Sequence, residues 1–202
     1  MQKHDDEEIT VGEFVEMVWE LSTECGAGSE CEPHIKCGTD SECEPHIKCG
    51  ADSECGGAAL NVAPHASLTT SELLRFGHFR GWLEDSDERH PESLLNRQTA
   101  ARIIHQFMVV ELGLPDIADI SAAESLRDLY TCRVCANHIA QVYARGIMGA
   151  EEIQEAGFSL SEVSAAAQNV LIFNHLGRVT FHEAHEAMER LRSSRPERTN
   201  DS

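Results

Sequence analysis

Two groups of residues in this chain have the types and spacing to do chemistry. Between Cys25 and Cys55 a cysteine falls at every sixth position (Cys25, Cys31, Cys37, Cys43, Cys49 and Cys55), inside a twelve-residue unit that starts at Ser29 and again at Ser41. Neighbouring hexads are close enough to pair as disulfides, which would staple a segment with little core of its own. Equally, Cys31, His34 and Cys37 offer zinc ligands, with a fourth from the next copy, where Cys43, His46 and Cys49 repeat the arrangement. The second group is Cys132-x-x-Cys135 with His138 three residues on. On one helix these would share a face and could meet a single zinc ion, with His105 or a repeat cysteine as fourth ligand. The plainer alternative is a pair of buried, unreactive helix cysteines. A thioredoxin-like role is weaker, because no strand is expected before the pair.

No other motif points to catalysis. His182-Glu183-Ala184-His185 has one residue too few between Glu and the second His to place both imidazoles one turn apart, as the zinc-protease motif requires. There is no nucleophile elbow, phosphate loop or dinucleotide fingerprint, and the many acidic pairs single out no general acid and base. The chain is expected not to be an enzyme, and zinc is the one cofactor its residues suggest.

The formal charge is −19, from 16 Lys and Arg against 35 Asp and Glu, which opposes binding to nucleic acid or an acidic membrane surface. No apolar run approaches the roughly 20 residues of a membrane span. Met1 to Glu8 is too polar and acidic for a signal peptide, so the chain reads as soluble and not exported. Its 8 cysteines would suit an oxidising compartment, which leaves the location open.

The elements that must position these groups read as helices. Aromatics are only 5% of the 202 residues, and the apolar residues are mostly small or aliphatic. That composition predicts an all-α fold, a bundle of about six helices, over residues 1–24 and 60–192. Capping boxes are expected at Thr10/Glu13, Thr69/Glu72, Ser121/Glu124, Ser159/Glu162 and Thr180/Glu183. Apolar spacing predicts helices after Thr10, over Leu73–Leu83, from about Asn96 to Leu112, from about Leu126 to Met148, and over Ser161–Leu176 and Thr180–Arg192. The segment 25–59, broken by Pro33, Pro45 and several glycines, is expected to be a largely irregular insertion, and 193–202 a disordered tail.

Helix openings and endings recur in a pattern. Leu95-Asn-Arg-Gln-Thr-Ala-Ala-Arg-Ile-Ile-His105 is followed, after Asp128-Leu-Tyr, by His138-Ile-Ala-Gln-Val-Tyr-Ala-Arg-Gly-Ile-Met148. Ile9-Thr-Val-Gly-Glu-Phe14 with Leu73 to Leu83, closing in Gly81-Trp82-Leu83, forms an earlier copy split by the cysteine insertion, and a third begins at Ser159 or Thr180. The pattern resembles the S-layer homology domain of bacterial surface proteins and covers most of residues 9–192. The resemblance implies helix-loop-helix repeats arranged as a pseudo-trimer that binds cell-wall polysaccharide, often pyruvylated, in grooves on the cell surface. It places the ligand at Arg97, the motif arginine, with Asn96, Gly81, Trp82 and Gly146. Val11 stands at the arginine position in the first copy, and Leu160 or Phe181 in the third. A Trp at a helix end also caps a core, and that is the preferred reading of Trp82. The cysteine array is also similar to the repeated cores of ribosomally made peptides whose thiols a maturase crosslinks. A duplicated insert with no dedicated role is its plainest explanation.

The residues thus lead to a non-catalytic binding or anchoring module, for cell-wall glycan or another protein. The alternative is a zinc-binding or thiol-active protein inside the cell, or a modified cysteine-repeat precursor.

Overall fold

A computed structural model describes residues 5–23, 68–155 and 168–194. The cysteine repeat and the Ser159/Glu162 box lie outside them, as does the tail beyond Ser194. The described residues form α1 (Val11–Thr23), α2 (Thr70–Arg80), α3 (Asp85–Arg89), α4 (Arg97–Val110), α5 (Ala136–Ala144) and α6 (Phe181–Ser193), with a hairpin of β1 (Glu151–Glu155) and β2 (Gln168–Ile172) between α5 and α6. The fold is therefore mostly helical, and the expectation of an all-α chain is corrected by the small sheet.

Three short extended segments organise the molecule. The N–H of Ile9 donates to the Val179 carbonyl (3.0 Å), that of Val179 to Leu95 (3.0 Å), and that of Leu95 back to Ile9 (2.8 Å). The ring is closed. Each segment leads directly into a helix, α1, α4 or α6, whose first two N–H groups have no partner within the helix. The neighbouring segment's turn supplies the partners in the same way each time. Val11 and Gly12 donate to Ser93 and Pro91, Arg97 and Gln98 to Gly177 and His175, and Phe181 and His182 to Glu7 and Asp5. The side chains of Ile9, Leu95 and Val179 are at most 1% exposed and meet in one core.

Side-chain caps complete the starts. Thr10 with Glu13, Thr69 with Glu72 and Thr180 with Glu183 make the expected reciprocal bonds. Asn96 caps α4 by accepting from the Thr99 N–H at 2.9 Å. Ser121/Glu124 opens only a single 3-10 turn, Ala123–Ser125.

Helices α2 and α5 end alike. Gly81 and Gly146 both take the left-handed backbone (φ 87° and 70°) that favours glycine. The chain then doubles back, so that Trp82 and Ile147 bond to carbonyls five residues earlier (Gly77 and Val142) and are fully buried. Gly77 permits this: a Cβ there would stand 2.6 Å from Leu83 Cδ1 and 2.8 Å from Trp82 Cζ2. α1 packs on α2, α4 and α6, and α4 packs on α5.

Two expected helices are corrected. The helix foreseen from Leu126 to Met148 runs only over Ala136–Ala144, because residues before it bond to the end of the hairpin. The Asp128 carboxylate accepts from the N–H groups of Phe173 (2.7 Å) and Asn174 (2.8 Å), and the Arg127 N–H donates to the Leu171 carbonyl. Those bonds replace a helical ladder. Burial disfavours the Asp128 charge, but the Phe173 N–H, the His175 side chain and the N–H groups of Asn174 and His175 outweigh it and hold the carboxyl below its ordinary range. The helix foreseen over Ser161–Leu176 is, among its described residues, strand β2 over Gln168–Ile172 followed by the start of a turn. In β2, Val170 pairs with Ile153 of β1, while Asn169 and Leu171 are exposed and Val170 and Ile172 half-buried. A short apolar run of this kind suits either element until a partner strand is at hand.

Candidate functional site

A groove lies between the start of α4, the turn after α5 and α6. A cavity of about 180 Å³ is lined by Arg97 at the start of α4, by Met148, Gly149 and Glu151 after α5, and by Glu183 and Arg190 of α6. An adjoining hollow of about 380 Å³, bounded by Arg145, Gly146, Glu189 and Arg190, continues it along α6. Arg97 forms the floor. Its side chain is 6% exposed. Nε donates to the Phe173 carbonyl (2.7 Å), one terminal nitrogen to Glu183 Oε1 (2.7 Å) and the other to the Gly149 carbonyl (2.5 Å), with the guanidinium 4.8 Å above the Phe173 ring. Arg97 therefore binds three parts of its own chain together. The outer groups are those of α6, where Glu186 and Arg190 form an i,i+4 ion pair, each with nearly half of its side chain exposed.

Of the residues proposed for ligand contact, Arg97 lies in the groove and Gly146 in the adjoining hollow. Asn96 caps α4. Gly81 and Trp82 line neither cavity, and Trp82 is 0% exposed, edge-on to Phe107 at 5.3 Å. A fully buried ring offers no face to a sugar, so the core reading of Trp82 is the one its position fits. Glu186, Arg190, Gly149 and Glu151 were not singled out by sequence. The one available signal was the spacing of Glu183, Glu186 and Arg190 on α6.

A second cluster joins α4 to α5. His105, on α4, lies 2.7 Å (Nδ1 to Nδ1) from His138 and 2.8 Å (Nε2) from Asp116, which also accepts from Asn137 at 3.2 Å. The His105 hydrogen bond holds the Asp116 carboxyl below its ordinary range, against burial and with help from Asn137 and nearby positive charge. Burial, reinforced by the charges of His105 and Arg102, pushes His138 down to about 4. Cys132 and Cys135 are joined to each other by a disulfide, and α5 starts after them, so the one-helix face expected for Cys132, Cys135 and His138 does not form. Among the described residues no group of three or more His, Cys, Asp and Glu is placed to hold a metal ion. The ligands expected at Cys31, His34, Cys37, Cys43, His46 and Cys49 lie outside the described residues.

The His138 shift predicts a pH effect. The unfolded ring takes up its proton near 6.5 and the folded ring only near 4, so acid favours unfolding across that window. Melting temperature should fall as pH is lowered from about 6.5 to about 4, and less steeply in His138→Phe. An NMR titration placing the folded His138 midpoint near 6.5 would contradict this.

Compared with known families, curated proteins and solved structures, the chain matches no family model, no curated protein and no solved structure.

Proposed function

We propose that this chain is a non-catalytic binding or anchoring module of the S-layer-homology kind, which holds a cell-wall polysaccharide in the groove at Arg97. The observation that supports this reading is the closed ring of Ile9, Leu95 and Val179, in which three helix starts are bonded in the same cyclic order. The groove at Arg97 is lined by polar groups suited to sugar hydroxyls. Carboxylates of Glu151 and Glu186 accept hydrogen bonds, and Arg190 donates them. Arg97 acts as floor and positions Glu183. Among the described residues no helix is long and apolar enough to cross a membrane.

The test is retention of the protein on purified cell-wall polysaccharide. Glu186→Ala with Arg190→Ala removes an exposed pair without touching the core, so retention should drop at least tenfold while the melting temperature stays close to that of the parent, tenfold being about 1.4 kcal/mol. Full retention by the double variant would rule the groove out as the binding site. Failure of the parent protein to be retained at all would rule out polysaccharide as its partner.

A further inference from the structure

We propose that Cys132–Cys135 is a thiol–disulfide exchange centre whose substrates are dithiols, an activity separate from the groove. A stapling disulfide ties together distant parts of a chain, and its effect grows with the loop that it closes. This one links residues only three apart, whose backbones already meet through the Cys135 N–H and the Cys132 carbonyl (3.1 Å), so it adds little to the fold. Both cysteines are half-buried and open in part to solvent. Tyr130 and Val134, 64% and 84% exposed, flank them and give an incoming chain an apolar surface to rest on.

The two sulfurs are not equivalent. Cys135 packs against the core and is the N-cap residue of α5, a helix that has no side-chain cap, whereas Cys132 lies on the preceding turn. Negative charge arising on Cys135 Sγ is therefore received by the uncapped N-terminus of a nine-residue helix. The Gln98 carboxamide, 3.4 Å from that sulfur, can turn its NH2 group to the same charge. Cys135 is thus the better leaving group, and Cys132 the sulfur attacked.

The exchange follows from this asymmetry. One thiolate of the substrate attacks Cys132 Sγ, a bond forms between them, the Cys132–Cys135 bond breaks, and its electron pair leaves on Cys135 Sγ. The substrate's second thiolate then attacks the substrate sulfur of the mixed disulfide and releases Cys132. The substrate is oxidised by two electrons to its disulfide, the pair is reduced to a dithiol, and the two protons lost by the substrate thiols pass to Cys132 and Cys135.

The experiment is differential alkylation of the folded, full-length chain in glutathione and dithiothreitol buffers, with the labelled cysteines located by peptide mass spectrometry. Cys132 and Cys135 should become labelled without denaturant and lose that labelling when oxidised glutathione is restored. In the single variants the pH of half-maximal alkylation should lie lower for Cys135 (in Cys132→Ser) than for Cys132 (in Cys135→Ser), as a thiolate received by the α5 N-terminus requires. A disulfide that resists dithiothreitol until the protein unfolds would overturn the proposal. So would the same alkylation midpoint in the two single variants, or a double serine variant with a much lower melting temperature, which would make the bond a staple.

Discussion

Replacing Arg97 with Ala should destabilise the protein by about 2–4 kcal/mol, because a buried guanidinium is lost from two carbonyls while the partly exposed Glu183 loses its counter-charge. The guanidinium is 6% exposed and spends three N–H groups on Phe173, Glu183 and Gly149. Alanine leaves two carbonyls without their donor and Glu183 without its counter-charge, and it uncovers one face of the Phe173 ring. Lysine keeps the charge, yet its single ammonium cannot reproduce the planar fork, so Arg97→Lys should lose an intermediate amount. Urea unfolding followed by the fluorescence of buried Trp82 measures both. A loss within about 0.5 kcal/mol, the range of ordinary surface substitutions, would show that Arg97 does not tie the units together. An Arg97→Ala protein that loses its ligand will have lost stability as well, and for that reason the exposed Glu186 and Arg190 carry the functional test.

The ring itself is tested by Leu95→Ala, for which we expect a loss of about 2–5 kcal/mol. Leu95 is 0% exposed and stands in the core with Ile9 and Val179, where it both donates to and accepts from the ring. Removing its side chain opens a cavity at the point where the three extended segments meet. Leu94 is the internal control. It precedes Leu95 on the same extended segment, points the other way and is 41% exposed, so Leu94→Ala should change stability by no more than about 0.5 kcal/mol. Equal effects at the two positions would mean that the ring is not where the units are held together.

Much of this arrangement was legible from short-range chemistry. Thr10/Glu13, Thr69/Glu72 and Thr180/Glu183 cap helices where reciprocal Thr and Glu spacing indicated, and Asn96 begins α4. These motifs work within four residues and held at three sites, whereas Ser121/Glu124, of the same spacing, opens only a 3-10 turn. Gly81-Trp82 and Gly146-Ile147 were equally visible as helix endings, because a left-handed residue followed by a large apolar one is a local event. Segment 126–135 and strand β2 were not legible. Asp128 binds N–H groups 45 and 46 residues away, and Val170 finds Ile153 across a hairpin. Helical spacing of apolar residues carries no trace of such partners. Cys132 and Cys135 suggested ligands because a helix was expected beneath them; without it, the nearest partner of each sulfur is the other.

What the sequence determined by itself was the starts of α1, α2, α4 and α6 and the acidic, mostly helical character of the chain. All of these depend on groups a few residues apart, where the backbone leaves few choices. Only the tertiary structure decided that Ile9, Leu95 and Val179 close into a ring, that Arg97 lies beneath the groove while Glu186 and Arg190 face outward, and that His105 meets His138. Those outcomes come from burial shared among distant segments. A side chain's exposure, and so its availability to a ligand, is set by what packs over it and not by its neighbours in sequence.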